Sequence, residues 1–167
     1  ASIATGADIK WNDLLIETYR NFANKIWNAT RFCLLNSEGA KVDHESLMAA
    51  DLPLPDKWII SRLNKTAIDV NRSLAKYEFH TAVSLLYHFF WDDFCDWYIE
   101  LSKNDVTAEE ASEQRNIARS RLITVLEQAL RLLHPFMPYI TEELWQRLPS
   151  VGKQSLHPAY ADAEPTI

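Results

Sequence analysis

The string DDFCD, Asp92 to Asp96, is the first place where residue types and spacing suggest chemistry. Asp92 and Asp96 stand four apart, so on a helix they share a face and can hold a hard cation with its waters. A DDxxD string of this kind suits Mg²⁺ carrying a diphosphate. Such a site requires a second metal motif on another helix. The nearest string, NDVTAEEAS, has Asn104 and Asp105 but lacks the hydroxyl and glutamate spacing. The competing expectation is that Asp92, Asp93 and Asp96 are solvated or pair with basic groups on a neighbouring helix. His44, His80, His88, His134 and His157 show no ligand spacing with the cysteines, and no Gly-rich phosphate loop occurs. No catalytic residue and no metal ligand is therefore assigned.

A second string, RNFANKIWNATRF from Arg20 to Phe32, carries binding chemistry. It reads as helical, yet Asn21, Asn24 and Asn28 are mediocre helix formers whose amides compete for backbone hydrogen bonds. No acidic residue lies between Glu17 and Glu38. On a wheel, Arg20, Asn24, Trp27 and Arg31 form one stripe, and Asn21, Lys25 and Asn28 the next. Amides offer donors and acceptors, while Arg and Lys supply phosphate contacts and stacking. Unpaired bases are held by stacking and edge hydrogen bonds, so this face suits a single-stranded RNA loop. Alternatively, the asparagines bond to neighbouring helices and the cations pair with Asp92, Asp96 or Glu100. Chemistry alone leaves both readings open.

The totals bound the frame for these strings. The chain has 167 residues, a length suited to one domain, and six Trp, six Tyr and seven Phe supply apolar area for a core. Three glycines and no Asn-Gly hairpin dipeptide argue against a sheet protein. A net charge of −6 argues against a generic nucleic-acid coat, so any nucleic-acid contact must be local. Cys33 and Cys95 sit in apolar helical contexts and read as reduced core residues of a cytoplasmic protein. No signal peptide, transmembrane run or repeat stands out.

Residues 1–10 read as a linker from a preceding domain, 11–149 as a helical domain, and 150–167 as a C-terminal tail. Leu15, Tyr19, Phe22, Ile26, Ala29 and Cys33 predict the buried stripe of a first helix. Pro55 and Asp56 read as a second helix start, with Ile59, Leu63, Thr66, Val70, Leu74 and Tyr77 as its stripe. A third helix runs from about Phe79 to Lys103, with Val83, Leu86, Phe90, Phe94, Trp97 and Leu101 facing the core. Thr107 with Glu110 suggests a capping box for a fourth helix carrying Ala118, Leu122, Val125, Leu126, Ala129 and Leu133. Pro135 and Pro138 end it, His134 standing where an imidazole can satisfy last-turn carbonyls. Thr141 is expected to cap a short fifth helix, TEELWQRL. The expected fold is all-α, an antiparallel bundle of four long helices plus a short C-terminal one. Trp91, Phe94, Trp97 and Trp145 are assigned to packing.

RNFANKIWNATRF with CLLNSEG, then FHTAVSLLYHFFWDDFCDWYIELSK, then TVLEQALRLLHPFMPYITEELWQRL, resembles the anticodon-binding domain of valyl-tRNA synthetases, class I aminoacyl-tRNA synthetases. The strings occur in the family's order and cover most of residues 11–149. HPFMPYITEELW is shared with isoleucyl and leucyl enzymes, so it marks the class. The first string and DWYIELSK resemble the valyl member. The initial ATGADIKW resembles the segment that follows the catalytic domain's signature loop.

The resemblance implies a domain that binds the anticodon stem-loop of a valine-specific tRNA and has no catalytic site or cofactor of its own. The parent would ligate valine to its tRNA with ATP and Mg²⁺, through catalytic and editing domains of the same chain. The fragment is expected to be a cytoplasmic monomer with no membrane contact. Arg20, Asn21, Asn24, Lys25, Asn28 and Arg31 in the first motif are the expected tRNA-binding residues. Arg20, Lys25 and Arg31 are given phosphate or stacking roles, and the asparagines base-edge or bundle-organising roles. The alternatives are an isoleucyl- or leucyl-type domain, a small isoprenoid-type Mg²⁺–diphosphate enzyme using Asp92 and Asp96, and a helical scaffold for protein partners.

Overall fold

A computed structural model describes residues 13–110 and 112–149, with side chains from residue 16 onward. The expected linker and tail lie outside the described residues, and so does the side chain of Leu15 of the first stripe. The order is α1 (Asp13–Leu35), a 3₁₀ turn (Glu45–Met48), α2 (Leu54–Ala75), α3 (Phe79–His88), a π-helical segment (Phe89–Tyr98), α4 (Ile99–Thr107), α5 (Glu113–Leu133) and α6 (Pro138–Trp145). Since α3, the π segment and α4 run on without a break, they form one long rod. Four long helical bodies plus short α6 make the all-α bundle, with no strand among the described residues. α1 packs on the π segment, α5 and α6, while α2 packs on α3, the π segment and α5. No helix among these is long and apolar enough to cross a membrane.

Most stripes fall where the periodicity puts them. Phe22, Ile26, Ala29 and Cys33 of α1 are buried, as are Ile59, Leu63, Thr66 and Val70 of α2. Leu122, Val125, Leu126, Ala129 and Leu133 bury the face of α5. Both cysteines are free and buried. Tyr19 and Tyr77 depart from expectation and are exposed. Tyr19 lies at the edge of an apolar groove with Phe22, Val83, Leu86 and Met137. Tyr77 follows the end of α2 with φ of +58°, a left-handed conformation that ends a helix, so it leaves the stripe.

The largest correction concerns the third helical body. Trp97 and Leu101 were expected in the core, yet both are exposed. The cause is the π segment, in which the Ile99 N–H donates to the carbonyl of Phe94, five residues back. A π turn holds more residues than an α turn, so positions four apart stay on one face. Phe90, Phe94 and Tyr98 are accordingly all buried, and α4 continues from that phase with Ser102 and Val106 buried. Phe90 and Phe94 stand 5.3 Å apart by ring centroids, and Phe94 and Tyr98 6.1 Å, a ladder of rings along the axis. Trp91 and Trp145 do pack: Trp91 stacks on Tyr87 at 5.5 Å, and the buried Trp145 Nε1 donates to Glu127 at 2.8 Å.

Helix ends also differ from expectation. Thr107 closes α4, donating to the Lys103 carbonyl, and Ser112 caps α5 by accepting from the Arg115 N–H at 3.1 Å. The connection therefore ends nearer α5 than a Thr107–Glu110 box would place it. Pro138, not Thr141, opens α6, where a missing N–H leaves no intrahelical bond unmade. Thr141 sits buried inside α6, donating to the Met137 carbonyl and lying 2.9 Å from His134 Nδ1. Elsewhere in the bundle, Tyr98 donates to Asp56 at 2.7 Å, and Arg121 reaches the same carboxylate at 3.1 Å. This largely buried triad ties the start of α2 to the π segment and α5.

Candidate nucleic-acid interface

The expected site residues all lie on α1, and the bundle sorts them. With Phe22, Ile26, Ala29, Thr30 and Cys33 turned inward, Arg20, Asn21, Asn24, Trp27, Asn28 and Arg31 stand exposed on the opposite side. Those three and four apart stand about 5–6 Å from each other at Cβ. Among the described residues, the side chains of Asn21, Asn24, Asn28 and Arg31 make no hydrogen bond or ion pair within the protein. Their amides and guanidinium are thus open to an outside partner. Arg20 lies 3.6 Å from Glu17, with both side chains largely in water, where such a pair is worth little.

Lys25 is placed differently. It is half-buried at the edge of the face, and its Nζ donates to Asp96 Oδ1 at 2.8 Å. The same ammonium lies 4.9 Å from the Trp91 ring centroid. Partial burial works against its charge, but the hydrogen bond to Asp96 and nearby negative charge outweigh it and hold its pKa above the ordinary lysine value. Lys25 therefore joins α1 to the π segment, whatever else it touches.

One contributor comes from the far end of the chain, outside the first motif. Arg147, just past the end of α6, holds its guanidinium 6.0 Å from the Trp27 ring centroid. Glu143 pairs with its Nε at 3.0 Å and also contacts Nη2. No local signal links Arg147 to Trp27, because only the docking of α6 on α1 brings them together. The open face thus carries three arginines, three amides and one indole.

The carboxylates of DDFCD each have a side-chain partner. Asp92 lies 2.8 Å from His88 Nδ1, Asp93 accepts from Arg62 Nε at 2.8 Å, and Asp96 holds Lys25. Among the described residues, no group of three or more His, Cys, Asp or Glu is placed to hold a metal ion. Asp93 and Asp96 pair with cations of neighbouring helices, and Asp92 with the imidazole one turn before it.

Residues 56–165 match the family described as the anticodon-binding domain of tRNA ligase, and the chain belongs to that family. Individual relatives carry the name valine–tRNA ligase. The chain is 51% identical to that of Thermotoga maritima over 150 residues, 90% of this chain and 16% of the relative. It is 49% identical to that of Fervidobacterium nodosum over 90% of this chain and 17% of the relative. The match to that of Pseudothermotoga lettingae, 44% identical, covers 98% of this chain and 18% of the relative, so it includes α1. The chain thus spans under a fifth of the length of the relatives it matches.

Proposed function

We propose that this chain serves a valine–tRNA ligase by gripping the anticodon stem-loop of valine tRNA on the open face of α1. The carrying observation is that Asn21, Asn24, Asn28 and Arg31 stand together in water with no partner among the described residues. Buried elsewhere, such amides would be tied down; exposed in a row beside cations, they suit unpaired bases and phosphates. Arg20 and Arg31 take phosphates or stack on bases, and Asn21, Asn24 and Asn28 read base edges. Lys25 adds charge from the rim while holding Asp96. Identity near one half to ligases that all bear the valine name favours that tRNA over an isoleucyl- or leucyl-type one.

The whole ligase would join valine to its tRNA in the cytoplasm. ATP and Mg²⁺ are proposed as its co-substrates, acting in catalytic and editing domains of the same polypeptide. The described residues supply no carboxylate cluster suited to Mg²⁺. Their work is to fix one end of the tRNA so that the acceptor end reaches the reaction centre. The test is fluorescence anisotropy of the 167-residue chain, as a monomer, with a labelled valine anticodon stem-loop and with the same hairpin carrying another anticodon. Preference for the valine anticodon is expected. Equal binding to both hairpins, or to neither, overturns the proposal.

A further inference from the structure

Trp27 and Arg147 form a pair that bundle packing does not call for. An indole on a bundle helix ordinarily serves the core, yet Trp27 is 43% exposed. Arg147 comes from beyond α6 and holds its guanidinium over that ring, at the outer limit of a cation–π contact. Glu143 engages Nε and Nη2, which fixes the guanidinium and leaves Nη1 uncommitted to that carboxylate. Asn24, Asn28 and Arg31 occupy the positions three before, one after and four after Trp27. A flat surface is therefore ringed by amides and a second cation on the same helix face.

We propose that the Trp27–Arg147 pair is a stacking subsite for one unpaired nucleobase of the bound RNA loop, with Asn24 and Asn28 reaching the edge of that base. This rests on the reading of α1 as the RNA face and adds α6 to it. Every base has a π-face, so the stack supplies affinity without sequence preference, while the amides supply the choice of base. Arg147 adds guanidinium stacking and a positive charge for the flanking phosphate. Glu143 acts as a positioning residue, because it keeps Arg147 over the ring.

The experiment uses the 167-residue chain and the anticodon stem-loop with 2-aminopurine placed in turn at each anticodon position. Stacking on the pair is expected to change 2-aminopurine emission strongly at one position and weakly at the others. Trp27→Ala should abolish that change and weaken binding about 5- to 150-fold, the span seen for loss of base–aromatic stacking. Trp27→Phe, which keeps a ring, should restore most of the affinity. Arg147→Met should weaken binding, and Glu143→Gln should weaken it less. Circular dichroism and the melting temperature of each variant separate loss of the subsite from loss of the fold. If Arg31→Ala weakens binding while Trp27→Ala and Arg147→Met leave affinity and emission unchanged in folded protein, the subsite is wrong and the RNA face stands. Failure of the unaltered chain to bind the hairpin overturns both.

Discussion

Arg31 and Lys25 carry the same charge on the same helix, yet the structure predicts different responses to their removal. Arg31 is exposed, with no ion pair among the described residues, so a phosphate it binds would be its main electrostatic partner. Each phosphate contact contributes about 0.7 to 0.9 to the slope of log affinity against log salt. Arg31→Ala should therefore flatten that slope by about this amount. Over a fourfold rise in salt, for example about 50 to 200 mM, the parent should lose about threefold more affinity than the variant. Stability should change by no more than about 0.5 kcal/mol, since an exposed helical Arg→Ala swap breaks nothing in the core. Lys25 is already committed to Asp96 at 2.8 Å. In the double variant Lys25→Met, Asp96→Asn the net charge is unchanged, and the salt slope should stay near that of the parent. Anisotropy titrations of the hairpin at four salt concentrations provide the assay. An unchanged slope in folded Arg31→Ala, or a flattening in the Lys25/Asp96 double variant as large as in Arg31→Ala, would refute the division of roles.

Other predictions concern the frame that holds this face. Tyr98→Phe removes a 2.7 Å hydrogen bond to the buried, charged Asp56 and should destabilise the fold by about 1.5–3 kcal/mol, read as a melting temperature several degrees lower. Burial pushes the Cys95 thiol from 9.0 up to about 12, and burial with the neighbouring Asp56 carboxylate raises Tyr98 well above its ordinary value. The unfolded chain then releases these protons first, so stability should fall as pH rises from 9.0 toward about 12, by at most about 1.4 kcal/mol per pH unit for each group. Urea unfolding across that range should show the fall, and Cys95→Ala should make it shallower. Gly39 has φ of +76°, and a Cβ there would meet Asn116 Oδ1 at 2.8 Å. Gly39→Ala should destabilise by about 1–2 kcal/mol in chemical denaturation, and adding Asn116→Ala should recover only the part due to the clash.

Legibility in the sequence tracked how local each feature is. The stripes of α1 and α5 follow from 3.6-residue periodicity, which a single segment carries by itself, and they lie where the spacing put them. The same rule misplaced Trp97 and Leu101. The hydrogen-bond register of a helix is not written in its apolar pattern, and the ring ladder from Phe90 to Tyr98 follows the wider π turn. The Thr107–Glu110 box was a sound local motif, but Thr107 is spent closing α4, and Ser112 caps α5. The aspartates of DDFCD showed two futures in the sequence, ligands or ion-pair partners. The choice fell to His88, Arg62 and Lys25, two of which come from other helices.

For the candidate interface, the sequence by itself determined the inventory: three asparagines, two arginines, a lysine and a tryptophan on one helix, with no acid between Glu17 and Glu38. It also determined which of these share a face, because that depends only on helical geometry. Only the tertiary structure decided which of them are free. Lys25 meets Asp96 and Trp91 because α1 packs on the π segment, while Arg31, on the far side, meets water. Arg147 reaches Trp27 because α6 folds back onto α1. The reason is physical: spacing along a helix sets direction, but a side chain's partner is set by what packs opposite, and that is a property of the assembled bundle.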